Sequence, residues 1–262
     1  MTEGTAEAQP APPEIGSVQD LLVSLQAITA DGREYWYRGH RDSGWLLQPS
    51  VFRTPGHRDS EQSMLDRFRQ EAATAGQPYS FDNWGWITFA QHHQLPTRLL
   101  DWSQSPLVGL YFACERGREA KPDEAEAEGE LLMIDPRDLN EEAGDAGGGH
   151  PVLLKDGHSA LDHYRPGHDA SQRMKPRAVI APMSFDRIRF QTGTFTVSQR
   201  PADGDAVPQL ANARSLRRFL IPSGKKQTLR EQLETLGLTE VTIYRDLDRI
   251  AGRIKATHKG SL

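Results

Sequence analysis

Only one cysteine, Cys114, stands among the 262 residues, so no disulfide can form within the chain. No Cys/His spacing resembles a structural zinc site either, and no metal is expected. That usage predicts a reducing, cytoplasmic setting. Nowhere do about 18 apolar residues run together, which leaves no candidate for a membrane-spanning helix. The first residues carry neither the basic nor the apolar region of a signal peptide. Basic side chains are not in excess: 31 Lys and Arg stand against 36 Asp and Glu, a net charge of −5. A broadly basic nucleic-acid surface is therefore not expected. The Gly-x-Ser-x-Gly elbow of a serine hydrolase is missing as well.

What the chain does have is length for one substantial core. Residues 1–16, rich in Ala, Pro and Glu, read as a disordered leader, and residues 17–262 read as a single domain. Ser17 is placed to cap a first amphipathic helix carrying Leu21, Leu22 and Leu25 at helical spacing. Further helices are predicted from Ser60, over Trp86–Gln94, and from Pro106 to about Glu115. Strands are predicted at Glu34–Gly39, Glu130–Ile134, Ala178–Ala181, Ile188–Phe190, Thr194–Val197 and Leu216–Ile221. Two helices, Gly224–Leu236 and Asp246–Thr257, close the chain. Gly237 would suit a helix-turn-helix, but Thr239–Leu247 favours a short strand, so DNA reading is not expected. Helices gathered early and strands gathered late give an α+β fold, with N-terminal helices packed on a central, mostly antiparallel, split sheet.

The densest polar stretch is Gln91-His92-His93-Gln94-Leu95-Pro96-Thr97-Arg98-Leu99-Leu100-Asp101-Trp102-Ser103-Gln104-Ser105-Pro106. It reads as a connector between two helices. A buried polar group without a partner costs about 1–3 kcal/mol, so this stretch is either an internal hydrogen-bond network or the wall of a polar ligand site. Arg98 and Asp101 are close enough along the chain to pair. His92 and His93 are adjacent and would point about 100° apart on a helix, which is not a chelating arrangement. Arg38 sits on an aromatic strand before Gly39. Its guanidinium could grip a phosphate or carboxylate bidentately, or pair with Asp101. Gly39 would permit a turn or a ligand's close approach. The five tryptophans, Trp45 among them, and Cys114 read as core.

With these residues laid out, the chain resembles the FRG-domain family, named for the aromatic-Arg-Gly motif that stands here as Tyr37-Arg38-Gly39. The likeness continues through Gln48–Arg53, Phe68 and Glu71, Gln91–Asp101, Ser105-Pro106-Leu107, Arg189–Phe195, Phe219–Pro222 and Asp246–Asp248. The motifs span roughly residues 17 to 252. A second resemblance, to ADP-ribosyltransferases, matches Tyr37-Arg38-Gly39 to their first strand, Trp102–Ser105 to their Ser/Thr strand, and Gln191-Thr192-Gly193 to their Gln/Glu-x-Glu strand. It implies NAD as substrate, with no metal. By that likeness Arg38, Gln191, Ser103 and Ser105 would be catalytic, and Tyr37, Gly39, His92, Arg98 and Asp101 would join Arg38 in holding a nucleotide. Gly193 stands where that class has a glutamate, so transfer would need another acid. The competing expectation is a non-catalytic module recognising a macromolecular target, its polar stretch purely structural.

Overall fold

The computed structural model describes residues 11–74, 80–117, 125–145, 148–168, 174–180, 193–200, 210–244, 251 and 254–255. Ser17 does cap α1 (Val18–Ile28), its hydroxyl accepting from the Asp20 N–H at 3.1 Å. A 3-10 turn follows and Gly32, at φ 70°, ends the segment in the left-handed region where glycine is at no disadvantage. The next helices are α2 (Pro55–Thr74), α3 (Asn83–His92) and α4 (Pro106–Cys114). Then come α5 (Pro136–Glu142), α6 (Ser159–Asp162), α7 (Lys226–Thr235) and α8 (Glu240–Tyr244).

The strands are β1 (Trp36–His40), β2 (Leu99–Ser103), β3 (Gly129–Ile134), β4 (Val152–Leu153), β5 (Arg177–Ile180), β6 (Gly193–Val197) and β7 (Arg217–Ile221). They form one sheet in the order β4-β5-β6-β2-β1-β3-β7. Every pairing is antiparallel except β4 with β5. The architecture is the expected α+β fold with a central, mostly antiparallel sheet. Its centre is unusual: β1 and β2 pair at one register position, Tyr37 opposite Ser103. On either side of them the ladders are full, five partners each for β1 with β3 and β2 with β6.

Directly opposed residues share a sheet face, so Tyr37 and Ser103 look to the same side. On that side Tyr37, Leu131, Met133, Phe219 and Ile221 pack against α1, α4 and α7. Leu99, Val179, Phe195 and Val197 pack against α2 and α3. Trp36, Leu100, Trp102, Leu132 and Ile134 fill the opposite face from both halves of the sheet. Helix α4 rests so closely on β1 that a Cβ at Gly39 would lie 2.1 Å from the Gly109 carbonyl oxygen and 2.3 Å from the Ala113 nitrogen. The glycine of the aromatic-Arg-Gly motif is thus explained by helix-on-strand contact, where the sequence suggested a turn or a ligand.

Three expectations are corrected. The polar stretch is not merely a connector, because its centre forms strand β2; after Pro96 the chain cannot continue α3, and Leu99-Leu100-Asp101-Trp102-Ser103 alternates faces. The leader is not disordered through Gly16: Ile15 is fully buried, its N–H donates to the Leu220 carbonyl at 2.8 Å, and the Leu220 N–H donates to the Pro13 carbonyl at 2.9 Å. Thr239–Leu247 does not begin as a strand but as α8, because Thr239 and Thr242 cap it reciprocally through their hydroxyls and N–H groups. The expected strand at Ile188–Phe190 and Gln191 itself lie outside the described residues, as does most of the Asp246–Thr257 helix.

Candidate functional site

Where β1 and β2 part beyond Tyr37 and Ser103, a cleft of about 240 Å³ opens. Tyr37, Arg38 and Gly39 of β1 face Asp101, Trp102 and Ser103 of β2 across it, and Val108, Phe112 and Glu115 close the α4 side. Arg41 and Trp45, from the segment after β1, form the outer lip.

Arg38 fills the gap where a further ladder rung would lie. Its Nη1 donates to the Asp101 carbonyl at 2.7 Å and its Nε donates to His40 Nε2 at 3.1 Å. Two of the five guanidinium hydrogens are therefore committed, and Nη2 has no hydrogen-bond partner among the described residues. Among the described residues no carboxylate forms an ion pair with the group. Burial pulls its pKa down to about 10, opposed by the Asp101 charge and assisted by Arg53. It stays charged at neutral pH, as a poorly solvated cation whose remaining donors face a concavity.

His40 fixes how Arg38 is presented. Because Nε2 accepts from Arg38, the ring proton sits on Nδ1 and is donated to Glu130 Oε1 at 2.9 Å. Glu130 Oε2 in turn accepts from Arg218 Nη1 at 2.6 Å. A continuous chain thus runs from β7 through β3 to the cleft. Burial lowers the His40 pKa below 6.5, the Glu130 hydrogen bond opposes this, and Arg38 and Arg53 reinforce it. The Trp45 ring, 6.0 Å away, covers its other side. The fold therefore prefers neutral His40, and the unfolded chain binds the extra proton first. This contribution to stability is complete above about pH 6.5 and is lost as pH falls through the lower folded value. Melting temperature between pH 8 and 5 should show a loss below 6.5 that His40→Gln abolishes; equal profiles would remove His40 from this role.

Asp101 projects its carboxylate into the cleft from an exposed position in the middle of β2. Gln91 Nε2 donates to Asp101 Oδ2 at 2.7 Å, while Gln91 Oε1 accepts from the Thr97 hydroxyl at 2.6 Å. The Thr97 hydroxyl also accepts from the Leu99 N–H at 3.2 Å. The amide of Gln91 is therefore held one way round, and so is the carboxylate.

The other expected site residues separate. Arg98 is 2 % exposed and consumed by Glu61, with Nε donating to Oε1 at 2.9 Å and Nη2 to Oε2 at 2.5 Å, and its Nη1 donates to the Tyr164 carbonyl. It does not pair with Asp101, because Glu61 and the Tyr164 carbonyl take its donors. Ser103 lines the cleft and its hydroxyl accepts from the Ser105 N–H at 3.0 Å. Ser105 caps α4, accepting from the Val108 N–H at 3.4 Å. His92 ends α3 and is not a lining residue; His93 packs edge-on to Phe89 at 4.6 Å. Cys114 is buried, with its thiol pushed up to about 12 by desolvation, an inert core residue as expected.

Sequence reasoning missed Arg41, Glu115 and Phe112, and misread Trp45. That ring is 44 % exposed, with the Arg41 guanidinium carbon 5.0 Å from its centroid. The signal was the Gly44-Trp45 step in a turn, where an aromatic has no regular face to bury. Among the described residues no group of three or more His, Cys, Asp or Glu side chains could hold a metal ion. No described helix is long and apolar enough to cross a membrane.

Comparison with curated proteins and with solved structures finds no match. Residues 33–122 match the family model of the FRG domain. All the lining residues, from Tyr37 to Glu115, fall within that span.

Proposed function

We propose that the cleft binds a nucleotide, NAD first among the candidates, and that the protein is an enzyme of ADP-ribosyltransferase-like architecture. The observation that carries this reading is Arg38: a partly buried guanidinium that lines the cleft, with uncommitted donors and no ion pair to a carboxylate among the described residues. Such a group is built for bidentate contact with phosphate. The exposed Trp45 face, already attended by Arg41, offers a flat surface on which a nucleobase can stack. A cleft of this size takes part of a dinucleotide and leaves the remainder in solvent. Gln191 lies outside the described residues and carries no part of this reading. The competing non-catalytic reading expected Arg98, Asp101 and a histidine buried and mutually satisfied, with no cleft beside Arg38; Arg98 is buried and paired, but Asp101 is exposed and a cleft lies beside Arg38.

The test is Arg38→Lys, which keeps the charge and loses the planar fork. Calorimetric affinity for NAD and ADP should fall at least about tenfold, around 1.4 kcal/mol, with most of the melting temperature retained. A destabilised variant with unchanged affinity would remove Arg38 as a ligand residue. Failure of the unaltered protein to bind any nucleotide would remove the reading itself.

A further inference from the structure

We propose that Asp101 is the cleft's reader of ribose, taking the ligand's vicinal hydroxyls on its carboxylate and so selecting ribonucleotides over analogues that lack them. This rests on the nucleotide reading above and adds to it a residue that sets specificity. Three observations converge. Asp101 and the guanidinium of Arg38 line the same cleft, yet the two side chains form no ion pair, because Arg38 takes the main-chain carbonyl of Asp101 instead. The carboxylate is therefore left for something else. One of its oxygens is tied to Gln91, and Oδ1 has no hydrogen-bond partner among the described residues. The orientation is not accidental, since the Thr97 hydroxyl fixes which end of the Gln91 amide meets Asp101.

Arg38 donates to the main-chain carbonyl of Asp101 and both residues line the cleft, so a phosphate on Arg38 brings its sugar to the Asp101 side of the cleft. A carboxylate beside a phosphate is repulsive unless it is repaid by donors, and a sugar diol is the donor a nucleotide brings. In dinucleotide-binding Rossmann folds an acidic side chain takes this role toward the ribose hydroxyls.

The geometry also decides what a substitution does. In Asp101→Asn the new side-chain oxygen must accept from Gln91 Nε2, which cannot turn around, so the new amide nitrogen faces the cleft. An acceptor for hydroxyls becomes a donor, and the repulsion toward phosphate disappears.

The experiment is calorimetric titration of the full chain with ADP and with 2′,3′-dideoxy-ADP, for the unaltered protein, Asp101→Asn and Arg38→Lys. The unaltered protein should prefer ADP by at least about tenfold. Asp101→Asn should lose that preference in a crossed manner, with ADP weaker and dideoxy-ADP unchanged or tighter. Arg38→Lys should weaken both ligands alike and keep the ratio. Binding without discrimination by the unaltered protein, or an equal loss of both ligands in Asp101→Asn, overturns the role of Asp101 and leaves the nucleotide site standing. No binding of either ligand overturns both. Asp101→Ala, which offers neither acceptor nor donor, guards against misfolding of the amide variant and should erase the preference too.

Discussion

Glu61→Ala should cost about 3–5 kcal/mol of folding stability, because it strands the Arg98 guanidinium without a counter-charge in the interior. Both residues are nearly inaccessible, at 3 % and 2 %, and the pair is a parallel two-bond fork. Arg98 would keep only the Tyr164 carbonyl. The loss is a large share of the roughly 5–15 kcal/mol that holds a domain together. Urea unfolding of Glu61→Ala, with Glu61→Gln beside it, checks the point: the glutamine keeps acceptor and shape and should lose less. A cost below about 1 kcal/mol would mean that water reaches the pair.

Gly39→Ala should be as damaging for a different reason. The added carbon would meet backbone atoms of α4 at 2.1 and 2.3 Å, and backbone cannot swing away as a side-chain end can. Gly109, on the facing side of α4, is nearly as tight: its Cβ would lie 2.7 Å from Leu131 Cδ1 and 3.0 Å from Tyr37 Cβ. Helix and strand would have to separate, opening the cluster that holds Tyr37, Leu110, Leu131 and Met133. A loss of about 4 kcal/mol or more is expected, visible as insoluble or unfolded protein. Recovery of a folded variant with a melting temperature within a few degrees of the original would refute the close-contact account.

Local signals in the chain were readable where local chemistry decides structure. Ser17 before Val18 and Pro106 after Ser105 each mark an element boundary that the fold respects, and the aromatic run before Gly39 lies in a strand as expected. Arg38 in a cleft was within reach of the same reasoning, since a guanidinium beside glycine on an aromatic strand is an unusual thing to bury. What was not legible depends on distance along the chain. Arg98 finds Glu61 from 37 residues away, and nothing in the sequence around either names the other. Asp101 looked like half of a local pair because β2 is only five residues long and its period is masked by polar neighbours. His40 drew no attention, because its meaning comes from Glu130 on β3 and Arg218 on β7. Ile15 was lost in a Pro-rich segment whose composition is that of loose chain, whereas its backbone is held by Leu220.

The single rung between Tyr37 and Ser103 has a mechanical consequence. Elsewhere in the sheet, changing the spacing of two strands means breaking several hydrogen bonds at once. Here the plate made of β4, β5, β6 and β2 and the plate made of β1, β3 and β7 meet at one register position, flanked among the described residues by the Arg38 bond to the Asp101 carbonyl and the Gln104 bond to Glu34. The two plates can pivot about that point at the expense of side-chain packing on the Trp36 and Trp102 side. A ligand that draws Arg38 away from the Asp101 carbonyl unfastens the seam. One that bridges Arg38 and Asp101 would fasten it more firmly than the protein does alone.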